Sequence, residues 1–240
     1  MKTFEYADTI VDVHEGTFYP TETSKLIIDY LKDKKELQKA SMLDLGCGCG
    51  IVSLALNRLG LSGPTCASDI SETAVQNTVE NFRKYGLKVE GKAGSMFEPW
   101  KDRSFDLIMD DVSGIAESIA RISPWFGTSI SCESGSDGTE LTTEIIRNAP
   151  EYLKDAGRLI FPVLTLSNYP KIIETAEDTF EEVNLVNRQS FQFPLDLAAK
   201  HKDILKEAIE KQDIMVDYKF GMYIWETLIY EAASPKTRSM

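Results

Sequence analysis

Four carboxylates and a run of alternating glycines carry the chemistry this sequence offers. Asp44 stands two residues before Gly46, and Gly48 and Gly50 follow at the same spacing. Asp69 closes the apolar run 65–69, and Asp110 and Asp111 close the run 105–109. Glycine allows positive φ and lets a ligand approach the backbone with no Cβ in the way. A helical pattern begins at Ile51, so the turn also offers the unpaired N–H groups of a helix start. Asp44 can accept hydrogen bonds from a ligand ammonium. Asp69, through its two carboxylate oxygens, can bind both hydroxyls of a ribose. Asp111, with Asp110 as competitor, can orient a nucleophile or take its proton. Two plainer readings compete. Asp69 could cap the next helix, although Ser71 already supplies a cap. Asp110 and Asp111 could form a solvated turn.

These residues need a scaffold that gathers strand ends. Residues 41–59 read as strand, glycine turn and helix, stopped by Gly60. Strands are expected at 65–69, 87–92, 105–109, 158–163, 183–186 and 222–230. Helices are expected at 71–85, 139–153 and 170–179. The spacing of Leu26, Ile27, Tyr30, Leu31 and Leu37 predicts a helix from Thr21, its N-cap, to about residue 39. Alternating strands and helices imply an α/β, doubly wound, seven-stranded, mostly parallel sheet with helices on both faces. In such a sheet ligands bind beyond the carboxyl ends of the strands. Asp44, Asp69, Ser95 and Asp111 all fall at such ends. Residues 1–40 form an N-terminal helical segment that packs on the first strand or closes over the ligand. Residues 41–240 form the main domain, with a helical insertion at about 195–211. Residues 115–137 read as a mobile substrate loop and residues 234–240 as a disordered end.

The whole chain sets bounds. Its 240 residues suffice for one large domain. Net charge is −12, and an acidic surface disfavours a nucleic-acid partner, which Lys and Arg would have to hold. No apolar run reaches transmembrane length, and the N-terminus lacks the apolar core of a signal peptide, so a cytoplasmic location without a membrane partner is expected. Of the four cysteines, only Cys47 and Cys49 are close. They sit inside the glycine turn at a spacing unlike that of zinc ligands, so no metal is expected.

The turn also discriminates between cofactors. Dinucleotide sites use G-x-G-x-x-G/A. From Gly46 the third glycine would fall on Ile51, and from Gly48 on Ser53. Both counts fail. The pattern acidic-x-Gly-x-Gly-x-Gly is met fully by Asp44, Gly46, Gly48 and Gly50, and it resembles motif I of the class I S-adenosylmethionine (SAM) methyltransferases, whose fold is Rossmann-like. Further segments resemble the HemK-like members, which include the protein-glutamine enzymes acting on release factors. They are Phe18-Tyr19-Pro20-Thr21-Glu22-Thr23, Gly94-Ser95-Met96-Phe97-Glu98-Pro99, Asp137-Gly138-Thr139-Glu140-Leu141 and Gly157-Arg158-Leu159-Ile160-Phe161.

The resemblance implies SAM as cofactor and contacts to it from Phe18, Thr23, Asp44, Gly46, Cys47, Gly48, Gly50, Asp69, Ile70, Ser95, Met96 and Asp111. In it Ser95 is the polar partner and Met96 the apolar wall of adenine. The family carries Asn-Pro-Pro-Tyr after the fourth strand, where this chain has Asp111-Val112-Ser113-Gly114. The Pro-Pro turn and the aromatic wall are gone, while Asp111 remains an acceptor that takes an amine more strongly than a carboxamide does. Trp125, Phe126, Phe191 or Phe193 could replace the aromatic. The implied function is methyl transfer to an amine or amide nitrogen of a protein or small molecule. Transfer to a hydroxyl or carboxylate, and SAM binding without transfer, stay open.

Overall fold

A computed structural model describes residues 2–112, 114–123 and 134–237. The chain opens with an antiparallel hairpin, β1 (Lys2–Tyr6) and β2 (Thr9–Val13), followed by α1 (Glu22–Leu31). Alternation then begins with β3 (Met42–Leu45), α2 (Ile51–Arg58), β4 (Thr65–Asp69), α3 (Glu72–Lys84), β5 (Glu90–Ala93) and β6 (Phe105–Asp110). α4 (Glu117–Ile122) and α5 (Glu140–Asn148) lead to β7 (Leu153–Leu164), α6 (Tyr169–Thr179) and β8 (Phe180–Gln192). α7 (Leu195–Lys200), α8 (Lys202–Glu210), β9 (Asp217–Lys219) and β10 (Met222–Pro235) complete the chain.

Seven strands lie in the order β5-β4-β3-β6-β7-β10-β8, and β9 pairs with β10 as an eighth. The pairs β3–β4, β3–β6, β4–β5 and β6–β7 are parallel, while β10 runs antiparallel to both β7 and β8. This is the doubly wound, mostly parallel sheet expected. β3 sits at its centre and all four of its residues are buried, as a parallel strand covered on both faces must be. One face packs α1 and α2 with Phe82 of α3 over Met42, Leu107 and Met109. The other packs Ile145 and Ile146 of α5 and Ile172 and Ala176 of α6 over Leu43, Leu45 and Ile108. A third cluster joins Ile115 and Ile119 beside α4 to Leu205 and Ala208 of α8, with Phe193 and Ile214.

Several local expectations are corrected. The opening hairpin is absent from the sequence reading because its two-residue turn is Ala7-Asp8, both at positive φ (48° and 56°), with no glycine to announce it. A polar helix face docks it. Asn81 accepts from Asp12 N at 3.0 Å and donates to Asp12 O at 2.9 Å, while Asn77 accepts from His14 N at 3.0 Å. Two carboxamides thus act as the neighbouring strand that β2 lacks. α1 ends at Leu31, eight residues before the expected 39, and residues 35–37 make a separate 3₁₀ turn. Pro150 sits in a 3₁₀ turn, 149–152, where the expected helix 139–153 ends early. Residues 115–123 hold α4 where a loop was expected, and residues 234–235 continue β10 where disorder was expected.

Candidate active site at the carboxyl rim

The parallel register gathers the site. Leu45 pairs with Ser68 on one side and Asp110 on the other, so β3, β4 and β6 end at one level. The glycine turn leaves that level from β3. Gly46 N and Cys47 N donate to Ser68 O at 2.9 and 3.0 Å, tying the turn to β4. All three glycines have positive φ: 70°, 53° and 78°. Their surroundings differ. A Cβ on Gly46 would meet Val112 Cγ2 at 2.8 Å, and one on Gly50 would meet Thr78 Cγ2 at 2.8 Å. Gly46 therefore lets the turn close on the end of β6, and Gly50 lets α2 start against α3. A Cβ on Gly48 would find nothing nearer than Phe18 O at 3.9 Å. Gly48 is the glycine that neighbouring protein does not fill.

Asp69 binds the turn from β4. Its Oδ2 accepts from Gly48 N at 3.0 Å and its Oδ1 from Ser71 N at 2.9 Å. Ser71 caps α3 by accepting from Ala74 N. Burial pushes the Asp69 carboxyl up, and the backbone donors hold it down. Ile70 beside it is 81% exposed. Ser95 and Met96 follow β5, with Met96 at φ 45° and packed against the second core cluster. Phe97 belongs to the core, stacked on Tyr152 at 4.3 Å.

Three further carboxylates lie deeper. Asp44 is buried; its Oδ2 accepts from Ser53 Oγ and N, and its Oδ1 has no partner. Burial raises its pKa to about 6, against the Ser53 bonds. Asp110 is fully buried, accepts from Val112 N at 2.8 Å through Oδ1 and leaves Oδ2 unpartnered. Burial raises it to about 8. Asp111 accepts from Ser24 Oγ of α1 at 2.5 Å. Burial raises it to about 7, with the charge of Asp44 adding to the rise and the Ser24 bond opposing it. Among the described residues, none of Asp44, Asp69, Asp110 and Asp111 is ion-paired. Adjacent strand residues point to opposite faces. Asp111 meets α1 on one face, so Asp110 turns to the other.

Of the expected site residues, the fold thus brings Asp44, Gly46, Cys47, Gly48, Gly50, Asp69, Ile70 and Asp111 together at the ends of β3, β4 and β6. The Phe18 carbonyl lies over Gly48. Thr23 is buried in the first turn of α1 and donates its N–H to Thr21 Oγ1. Cys47 and Cys49 are buried, and burial raises both thiols. Phe193 is buried in the third cluster and Phe191 stacks on Trp225 at 4.6 Å. Ser113, Trp125, Phe126 and Cys132 lie outside the described residues. The sequence reading missed Ser24 and Ser53. The signal for Ser53 was its position nine residues after Asp44, in the first turn of α2. Nothing local marked Ser24, whose partner lies 87 residues away.

The residues fit SAM. Unpaired carboxylates suit a ligand that carries a sulfonium and an ammonium against one carboxylate. The orphan Asp44 Oδ1 can accept from that ammonium, and the Gly48 cradle admits backbone contact. The exposed Ile70 beside Asp69 offers an apolar face for adenine.

Comparison with known proteins settles the family. The model of a methyltransferase domain matches residues 36–217. The chain belongs to that family. This methyltransferase domain is 27% identical over 169 residues to a release factor glutamine methyltransferase of Gloeobacter violaceus, covering 68% of this chain and 59% of the relative. It is 27% identical over 163 residues to a ribosomal protein L11 methyltransferase of Caldanaerobacter subterraneus, covering 66% and 50%. The chain thus spans about half the length of these curated relatives. Its fold is shared by a 16S rRNA methyltransferase of Thermus thermophilus in complex with AdoMet and guanosine, at TM-score 0.58 and 13% identity over 97% of this chain and 50% of that one. The chain therefore carries a methyltransferase domain, on a fold shared with a structure solved with AdoMet bound. No helix among the described residues is long and apolar enough to cross a membrane.

Proposed function

We propose that the protein transfers the methyl group of SAM to a nitrogen, amine or amide, of a non-nucleic-acid acceptor, a polypeptide or a small molecule, with Asp111 holding that nitrogen. The observation that carries this reading is Asp111 itself: a partly buried carboxylate one residue beyond β6, raised to about 7, at the rim the glycine turn shares. A carboxyl titrating near neutrality can accept an N–H in its charged form and take a proton as the new bond forms.

SAM supplies an activated methyl carbon on its sulfonium. The protein's part is alignment, which is worth ~7–11 kcal/mol at best. Gly46, Cys47 and Gly48 present the turn backbone, Asp69 and Ile70 take the ribose and adenine ends, and Asp44 the ammonium. Phe18 and Thr23 line the segment that runs over Gly48 into α1, and that segment closes the cofactor side from water. Ser95 and Met96 form the far wall of the adenine site. Asp111 orients the acceptor opposite the sulfur, with Asp110 held back on the other face of the strand. The relatives' printed acceptors, a release-factor glutamine and ribosomal protein L11, favour a polypeptide nitrogen. The net charge of −12 disfavours RNA. Transfer to an oxygen, or SAM binding without transfer, is the alternative.

The test is a transfer assay with methyl-tritiated SAM against the protein, RNA and small-metabolite fractions of a bacterial extract. Label in protein or amine metabolites supports the reading. Label in RNA alone, or tight SAM binding with label nowhere, ends it. Asp111→Asn should lower turnover about 10²-fold while SAM affinity stays the same.

A further inference from the structure

A single hydroxyl joins the N-terminal segment to the acceptor carboxylate. Ser24 is 3% exposed in the first turn of α1, and its Oγ donates to Asp111 Oδ2 at 2.5 Å. The later turns of α1 are secured from three other strands. Tyr6 OH of β1 donates to Asp29 Oδ2 at 2.6 Å. Asn187 Nδ2 of β8 donates to Leu26 O at 3.0 Å. Tyr30 OH of α1 donates to Glu231 Oε2 of β10 at 2.9 Å. Ile27, Ile28 and Leu31 are fully buried beneath them. The Ser24 hydroxyl is therefore a fixed donor rather than one that swings with a loop.

A fixed donor on one carboxylate oxygen sets both the rotamer of Asp111 and the direction of its other oxygen. We infer that Ser24 is a positioning residue of the transfer reaction: it holds Asp111 Oδ2 so that Oδ1 faces the acceptor nitrogen. The inference rests on the reading of Asp111 proposed above. Among the described residues, Ser24 is the one side chain that donates to Asp111. The other ionisable groups facing Asp111 are Asp44 from β3, Asp110 from its own strand and Cys49 from the glycine turn, none of them cationic. Among the described residues, no other side-chain donor offsets the charge of Asp111 if the hydroxyl is removed. Its carboxyl should then rotate and hold its proton more tightly.

The experiment uses the full chain, methyl-tritiated SAM and the protein and small-metabolite fractions of a bacterial extract as probes, with SAM affinity measured by calorimetry. Ser24→Ala is expected to lower the transfer rate about tenfold or more, since small misplacements of an orienting group are costly. SAM affinity should stay near wild type, and the melting temperature should fall by no more than one unpaired buried acceptor costs. The acid limb of the pH–rate profile should move to higher pH by about one unit, because the lost bond favoured the charged carboxylate. Ser24→Thr, which keeps the hydroxyl, should recover most of the rate. In an Asp111→Asn background Ser24→Ala should cost nothing more, the mark of two residues acting as one. Wild-type rate and pH profile in Ser24→Ala overturn the inference and leave the role of Asp111 standing. So does a loss of equal size in both backgrounds, which marks a structural effect. A wild-type protein that binds SAM and labels nothing in any fraction overturns the reading of Asp111 first, and this inference with it.

Discussion

Asp69 accepts the backbone N–H of Gly48 at 3.0 Å, so the carboxylate at the end of β4 holds the middle of the glycine turn in place. The same carboxylate accepts from Ser71 N at 2.9 Å, at the start of α3. Each oxygen keeps a second acceptor direction for a ribose hydroxyl. One side chain thereby shapes the cradle and, on the reading proposed above, also contacts the ligand it would hold. Asp69→Ala should weaken SAM binding by about 2–3 kcal/mol, roughly 30- to 150-fold, through loss of a charged acceptor and the freed turn N–H. Calorimetry checks this, and unchanged affinity would remove the ribose assignment.

Gly48 and Gly50 should separate binding from folding. Gly50→Ala meets Thr78 Cγ2 at 2.8 Å in addition to its φ of 78°, whereas Gly48→Ala bears the backbone cost alone. The left-handed conformation costs about 1–2 kcal/mol for a residue with a Cβ. Gly50→Ala should therefore lower the melting temperature more than Gly48→Ala does. Gly48→Ala should cost more SAM affinity per degree of stability lost. Parallel losses of both quantities in the two variants would contradict the assignment of Gly48 to the ligand.

Asn81 is the staple of the N-terminal hairpin. It is fully buried, and its carboxamide serves Asp12 N and O and also donates to Cys49 O at 2.9 Å. Asn81→Ala leaves three backbone groups without that partner, at about 1–3 kcal/mol for each one kept from water. Hydrogen exchange should accelerate at β2 and at the glycine turn together. Acceleration at β2 alone would show that the turn holds its shape without the hairpin.

Asp110 should make the protein pH-sensitive in a stated direction. Its pKa is raised from 3.8 to about 8 in the folded protein by burial. Between those values the folded state binds the proton that the unfolded chain has released, so its contribution to stability falls as pH rises through that window. Asp110→Asn removes the ionisation at nearly the same shape. The variant should melt higher than wild type at pH 8 and match it near pH 4, at the lower end of that window. A shift of the same size at both pH values would exclude ionisation of Asp110 as its origin.

Local pattern alone determined a large share of this protein. The alternation of apolar runs with helical spacing sets a parallel sheet, because a strand buried on both faces must be apolar and a crossover must be long. The Gly46–Gly48–Gly50 spacing marks the tight turn after β3, because positive φ is nearly glycine's own. The hairpin at residues 2–13 was not readable: its Ala7-Asp8 turn carries no glycine and its edge is completed by Asn77 and Asn81 from another element. Nor could sequence divide the surroundings of the adjacent Asp110 and Asp111, although it put Asp111 first. Tertiary packing does so, one sealed against the far face and the other bonded to Ser24 across 87 residues. Spacing along the chain encodes backbone conformation, but the proton affinity and aim of a carboxylate depend on neighbours that only folding supplies.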